Sequence, residues 1–229
     1  TVFSIHNLAS RGTGPNHRFT PEMERDDGHE LLPDFFSPRL KNIDALRRGI
    51  MYADAINTVS PTYAKEILTE EFGEGLDALL RERRGRLFGI LNGIDYETND
   101  PSKDVFLAKN FSLNNLSPRE DNKLALEKHF GLPEGKENFV LGIVSRLTRQ
   151  KGFDLLESII EQFLKYTKAQ LIVVGTGDGT LMDFFHELEA KLPKQVRAHL
   201  QFDDTVPHLV FAGADVVIIP SLFEPSGLI

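Results

Sequence analysis

A chain of 229 residues, 41% hydrophobic and 26% charged, is long enough for two packed cores of about 100 residues each and apolar enough to offset its chain entropy, which excludes a disordered protein. Its formal charge of −8 excludes a general nucleic-acid or membrane-surface binder, because such proteins present a net or clustered positive field. With no cysteine it has neither disulfides nor thiolate metal sites, which suits a reducing cytoplasm, and no apolar run approaches the roughly 18 residues that span a bilayer.

In chain order, VFSI (2–5) reads as a strand, and the Gly-, Pro- and charge-rich stretch over 9–35 reads as a long surface loop. ADAINTVS (53–60) contains a second short strand. SPTYAKEILTEEFG (60–73) predicts a helix with Ser60 as its cap, Pro61 in its first turn and Gly73 at its end. GRLFGILNGID (85–95) holds a third strand. A turn-rich stretch near 96–112 reads as a linker, dividing the chain into 1–104 and 105–229. NLSPREDNKLALEKHFGLP then predicts a helix capped by Ser117 before Pro118 and closed by Gly131.

FVLGIV (139–144), LIVVG (171–175) and DVVIIP (215–220) are continuous apolar runs, as in strands covered on both faces. Between the first two, DLLESIIEQFLKY predicts one helix. Its core face would carry Leu155, Leu156, Ile159, Ile160, Phe163 and Leu164, with a capping box from Asp154 and Glu157. Strands alternating with helices predict α/β architecture, parallel sheets and ligands at the carboxyl ends of the strands. Since the chain opens just before VFSI and stops just after another apolar run, an internal fragment of a longer protein is expected.

Chemistry concentrates at those strand ends. In SRLTRQKGFDLL (145–156), Arg146 and Lys151 follow the FVLGIV run; from the residues alone they are either solvated surface cations or ligands for an anion. GTGDG (175–179) follows the next strand, where glycines bring backbone amides close to a ligand or simply make a tight turn. No HExxH, GxSxG or P-loop pattern occurs, and the histidines do not pair at metal-ligand spacing.

SRLTRQKGFDLL, GILNGIDYE, SIHNLA, NTVSPTYAKEI and PSLFEPSGL together resemble the bacterial glycogen synthase and plant starch synthase family, retaining glucosyltransferases that use ADP-glucose. The resemblance runs along the chain except between Arg11 and Met51. It implies the GT-B fold, two Rossmann-like domains facing a cleft, both incomplete in a fragment of this length. It also implies a metal-independent transfer with no cofactor, ADP-glucose as donor and an α-1,4-glucan as acceptor, with no nucleic-acid or membrane partner.

By the same resemblance Arg146 and Lys151 meet the diphosphate, Glu224 and His6 meet the donor glucose, and Asn92 lies near the sugar. Gly175, Gly177, Asp178 and Gly227 line the donor site, and Phe202 stacks on adenine or packs in a core. The sequence departs from the common bacterial pattern at Leu222, where arginine is frequent, and Ser226, where cysteine is frequent. YETNDPSKD shortens the usual tryptophan-asparagine-proline segment, and SPRLKNIDALRRG replaces a more aromatic helix. Two other readings remain at this level: another retaining GT-B transferase, using UDP-glucose or resembling sucrose synthase, and an inactive sugar-nucleotide-binding protein.

Overall fold

The computed structural model describes residues 1–9, 27–32, 34, 36–37 and 43–227, so most of the loop read over 9–35 lies outside the described residues. Two compact units are present: Thr1–Gly93 with a short segment beginning at Pro225, and Ile94–Glu224.

The first unit is built on β1 (Val2–Ile5), α1 (Ala45–Tyr52), β2 (Ala55–Thr58), α2 (Tyr63–Glu66), α3 (Asp77–Glu82) and β3 (Leu87–Gly89). Its sheet is parallel, in the order β1-β2-β3. Alternation along β2 buries Ile56 and Thr58, and Ile5, Leu8, Ile50, Tyr63, Ile67, Leu76 and Leu80 close the core around them. The Ser60 hydroxyl accepts from the Tyr63 amide at 2.9 Å, but the N-cap position of α2 is Thr62, two residues later than the sequence implied. The helix is shorter than the sequence implied, since only Tyr63–Glu66 is α-helical and turns follow it.

The buried Tyr63 phenol accepts a 2.9 Å hydrogen bond from the Leu8 amide, and burial pushes its pKa above the ordinary tyrosine value. Tyr63→Phe strands that amide in an apolar core. It is expected to destabilise the chain by about 1–3 kcal/mol, read as a lower urea midpoint at unchanged slope.

The second unit contains α4 (Arg119–His129), β4 (Val140–Val144), α5 (Phe153–Glu157), α6 (Ile160–Thr167), β5 (Gln170–Val174), α7 (Gly179–Lys191), β6 (Val196–His199), α8 (Val206–Gly213) and β7 (Val216–Val217). Its parallel sheet runs β6-β5-β4-β7. Leu141, Ile143, Leu171 and Val173 meet residues of α5, α6 and α7 on one face, while Val140, Ile172 and Val174 meet α4 and α8 on the other. This two-sided burial is why β4 and β5 read as unbroken apolar runs. Among the described residues, no helix is long and apolar enough to cross a membrane.

Polar contacts fix the helices over the sheet. Lys123 pairs with Asp215 at 2.8 Å, and the same carboxylate oxygen accepts from the Val140 amide at 2.8 Å. Arg119 donates to the carbonyls of Ala212 and Ala214, closing the end of α8. The turns over 94–111 belong to this unit. His208 Nδ1 lies 2.6 Å from Asp104 Oδ2, and Arg119 stands over the Phe111 ring at 5.8 Å.

Three sequence expectations are corrected here. The helix expected over DLLESIIEQFLKY is two helices, α5 and α6, and its apolar face divides. Leu156, Ile160 and Leu164 are buried, whereas Leu155, Ile159 and Phe163 are exposed. The capping box fails because Gly152, in the left-handed region at φ +69°, already stands at the N-cap, which leaves Asp154 inside the first turn. Ser117 does not cap α4 either: the cap position is Pro118, and the Ser117 hydroxyl donates to Asn115 Oδ1 at 2.8 Å.

Candidate functional site

Strand order decides where this unit can bind a ligand. From β4 the chain moves outward through β5 to β6, then returns to the opposite side of β4 as β7. The connections therefore diverge between β4 and β7, opening a crevice beyond their carboxyl ends. The loops that enter it are residues 145–152 after β4 and 218–224 after β7.

These two loops are stitched together. The Leu222 amide donates to the Gln150 carbonyl at 3.0 Å, and Gln150 Nε2 donates to the Phe223 carbonyl at 3.2 Å. Lys151, at the end of a 3-10 turn over Arg149–Lys151, places Nζ 2.5 Å from Glu224 Oε1. The Lys151 side chain is 11% exposed and that of Glu224 23%, so both charges sit largely out of water, where each compensates the other. The Ser221 hydroxyl donates to the same Oε1 at 2.6 Å. Among the described residues, Glu224 Oε2 has no hydrogen-bond partner.

Gly152 makes the approach possible. Its φ of +69° is left-handed, and a Cβ there would lie 2.1 Å from the Pro220 carbonyl oxygen.

A second pair of loops lies beside this crevice. Beyond β4 and β5 the parallel pairing continues, with the Leu147 amide donating to the Thr176 carbonyl at 3.0 Å and the Asp178 amide to the Leu147 carbonyl at 2.7 Å. Gly175 has φ +151°, and a Cβ on it would stand 1.8 Å from the Ser145 carbonyl oxygen. Both it and Gly177 are thus required by backbone packing, whatever else they do. Asp178 caps α7, its carboxylate accepting from the Thr180 amide at 2.9 Å. Arg146 is exposed at the start of the β4 loop, and among the described residues its guanidinium has no ion-pair partner.

The other residues singled out from sequence are placed as follows. Phe202 is 80% exposed and lies beyond β6, so it is no part of the core. The turn carrying it is held by Asp203, whose carboxyl the amides of Val206 and Thr205 keep well below the usual carboxylate range. His6 is exposed just beyond β1, and Asn92 is half-buried beyond β3. Because β1 and β3 run parallel in one sheet, both residues stand past the same end of the first unit's sheet. Gly227 adopts a left-handed φ of +63°. Of the residues named from sequence, the structure brings Lys151 and Glu224 into contact. Ser221, Gln150 and Gly152 were not singled out, although all three lie inside the quoted motifs.

The model of the starch synthase catalytic domain matches residues 1–82, and that of glycosyl transferases group 1 matches 126–229. The chain is 47% identical over 231 residues to glycogen synthase of Lactiplantibacillus plantarum and 41% identical over 233 residues to that of Thermotoga maritima, in each case over 100% of its own length. The chain belongs to the glycogen and starch synthase family. It spans about half the length of the curated relatives it matches, 46% of the Thermotoga maritima protein and 47% of the Lactiplantibacillus plantarum one. Among solved structures, the catalytic domain of starch synthase IV from Arabidopsis thaliana, bound to ADP and acarbose, matches with a TM-score of 0.75 and 35% identity. That match covers 80% of this chain and 38% of the other. As a member of the glycogen and starch synthase family the chain has the GT-B fold class, and each of its two units is an α/β layer arrangement on a parallel sheet.

Proposed function

We propose that this glycogen and starch synthase family member transfers glucose from ADP-glucose to the 4-hydroxyl at the non-reducing end of an α-1,4-glucan, with retention of configuration. The observation that carries this reading is the shielded Lys151–Glu224 pair in the crevice between β4 and β7, within motifs shared with the family. In a chain of net charge −8, Arg146, which is exposed, and Lys151, which would exchange Glu224 for the ligand, are cations that the loop after β4 offers to an anion.

Breaking the bond between glucose and ADP develops negative charge on the departing diphosphate. Preorganised cations in a water-poor crevice stabilise that charge far more than they would in bulk water. Arg146 forks onto phosphate oxygens and Lys151 acts as a point charge. The diphosphate takes the proton of the attacking hydroxyl, and no protein nucleophile is required.

Glu224 and His6 bind the donor glucose, with Asn92 nearby. The tight backbone at Gly175 and Gly177 lets the nucleotide approach, Asp178 serves by fixing the start of α7, and Gly227 shapes the loop after Glu224. The exposed Phe202 ring supports the stacking role on adenine, and the ADP bound in the Arabidopsis neighbour supports an adenine donor. The cysteine-free sequence suits the reducing cytoplasm to which this reading assigns the protein.

The test follows radiolabelled glucose from ADP-glucose, and separately from UDP-glucose, onto glycogen with the full-length protein. Transfer from ADP-glucose is the expected result. Preference for UDP-glucose would move the protein to another GT-B branch, and donor binding without transfer from either would identify a sugar-nucleotide-binding protein that has lost catalysis.

A further inference from the structure

We infer that Ser221 is the positioning residue that keeps Glu224 aimed at the donor sugar after Lys151 has turned to the diphosphate. The inference rests on the function proposed above and assigns a task to a residue outside that mechanism.

Two donors converge on one oxygen. Lys151 Nζ and the Ser221 hydroxyl stand 2.5 and 2.6 Å from Glu224 Oε1, while Oε2 has no hydrogen-bond partner among the described residues. A carboxylate anchored at one oxygen keeps its other oxygen available to whatever enters the crevice. The two donors differ in what a ligand does to them. Lys151 comes from the β4 loop and carries a full charge, so a diphosphate competes for it directly. Ser221 is neutral, lies three residues from Glu224 in the same loop, and gains little from an anion.

When the diphosphate draws Lys151 away, the serine bond is what remains to hold the carboxylate. The main chain around it stays fixed, because Gln150 grips both Leu222 and Phe223 through backbone groups. The pair seen here is thus the resting arrangement, in which each charged group satisfies the other until the donor separates them.

The test uses steady-state kinetics and ADP inhibition of the full-length protein. Ser221→Ala is expected to lower kcat by about ten- to a hundredfold, the range for losing one hydrogen bond to a charged group. The ADP inhibition constant should stay within about twofold of wild type, because the diphosphate ligands are untouched. Ser221→Thr, which keeps the hydroxyl, should restore most of the turnover. Should Ser221→Ala prove too unstable to assay, Ser221→Cys, close in shape but a weak donor, must show the same fall.

Wild-type kcat in the Ala variant, ADP inhibition weakening in step with kcat, or a Thr variant no better than Ala would each overturn the assignment. A wild-type protein that transfers glucose from neither nucleotide would overturn the functional reading and this assignment with it, an outcome recognisable before any variant is made.

Discussion

Lys151→Ala is expected to lower transfer from ADP-glucose by about a hundredfold or more, with the larger part of the loss in kcat. The side chain is 11% exposed, so its charge acts on the crevice with little screening by water. Its removal takes away the cation proposed to meet the departing diphosphate and also leaves the Glu224 carboxylate with no charged partner in a largely enclosed position. Lys151→Arg should rescue little, because a planar guanidinium does not fit where an ammonium sits 2.5 Å from Oε1 between two stitched loops. Single-turnover measurements with radiolabelled donor check this, and unchanged turnover in the Ala variant would remove Lys151 from the diphosphate site.

Gly152→Ala is expected to have the largest combined effect on folding and activity. The left-handed φ of +69° costs a residue with a side chain about 1–2 kcal/mol. The new methyl would also have to occupy space 2.1 Å from the Pro220 carbonyl oxygen. The contact is with backbone, so it cannot be relieved by rotating a side chain; the β4 and β7 loops must separate. Separation lengthens every bond across the crevice, including the Lys151–Glu224 pair. A loss of about 2–4 kcal/mol in stability is expected from the strain and the clash together, with turnover down by more than about tenfold as the site opens.

Gly131→Ala is the control. Gly131 has a similar φ of +62° but nothing within 4 Å of where its Cβ would stand, so it should cost only the backbone strain and leave turnover intact. Equal effects of the two substitutions, by urea midpoint and by turnover, would show that the packing against Pro220 is unimportant.

What the sequence made legible follows from how each segment is buried. β4 and β5 lie in the middle of the sheet with helices on both faces, and they announce themselves as apolar runs. β6, with Arg197 and His199 in VRAH, was not legible as a strand because it is an edge that needs apolar cover at few positions. α8 was hidden for the opposite reason, since VPHLVFAG is too uniformly apolar to show a helical period.

On α5 and α6 the apolar residues fill two adjacent lines along the surface, and periodicity alone does not say that only the line through Leu156, Ile160 and Leu164 is buried. Within the site, Lys151 and Glu224 were each legible from their motifs. Their contact was not, because it depends on β7 returning beside β4. Asp178 did carry a readable signal: an aspartate immediately before a helix is a preferred cap, and capping is what it does.

The strand order also sets a sequence of events during folding. The β4–β5 pairing closes a span of about 30 residues through one crossover, whereas Lys151 and Glu224 are 73 positions apart and meet only when β7 takes its place on the far side of β4. A chain that has formed β4, β5 and their helices already has most of its buried core, yet its crevice lacks one wall and its lysine has no counterion. The nucleotide binding proposed for this unit should therefore appear after the bulk of the secondary structure in a refolding experiment, which would make a bound nucleotide a reporter of the last strand's arrival.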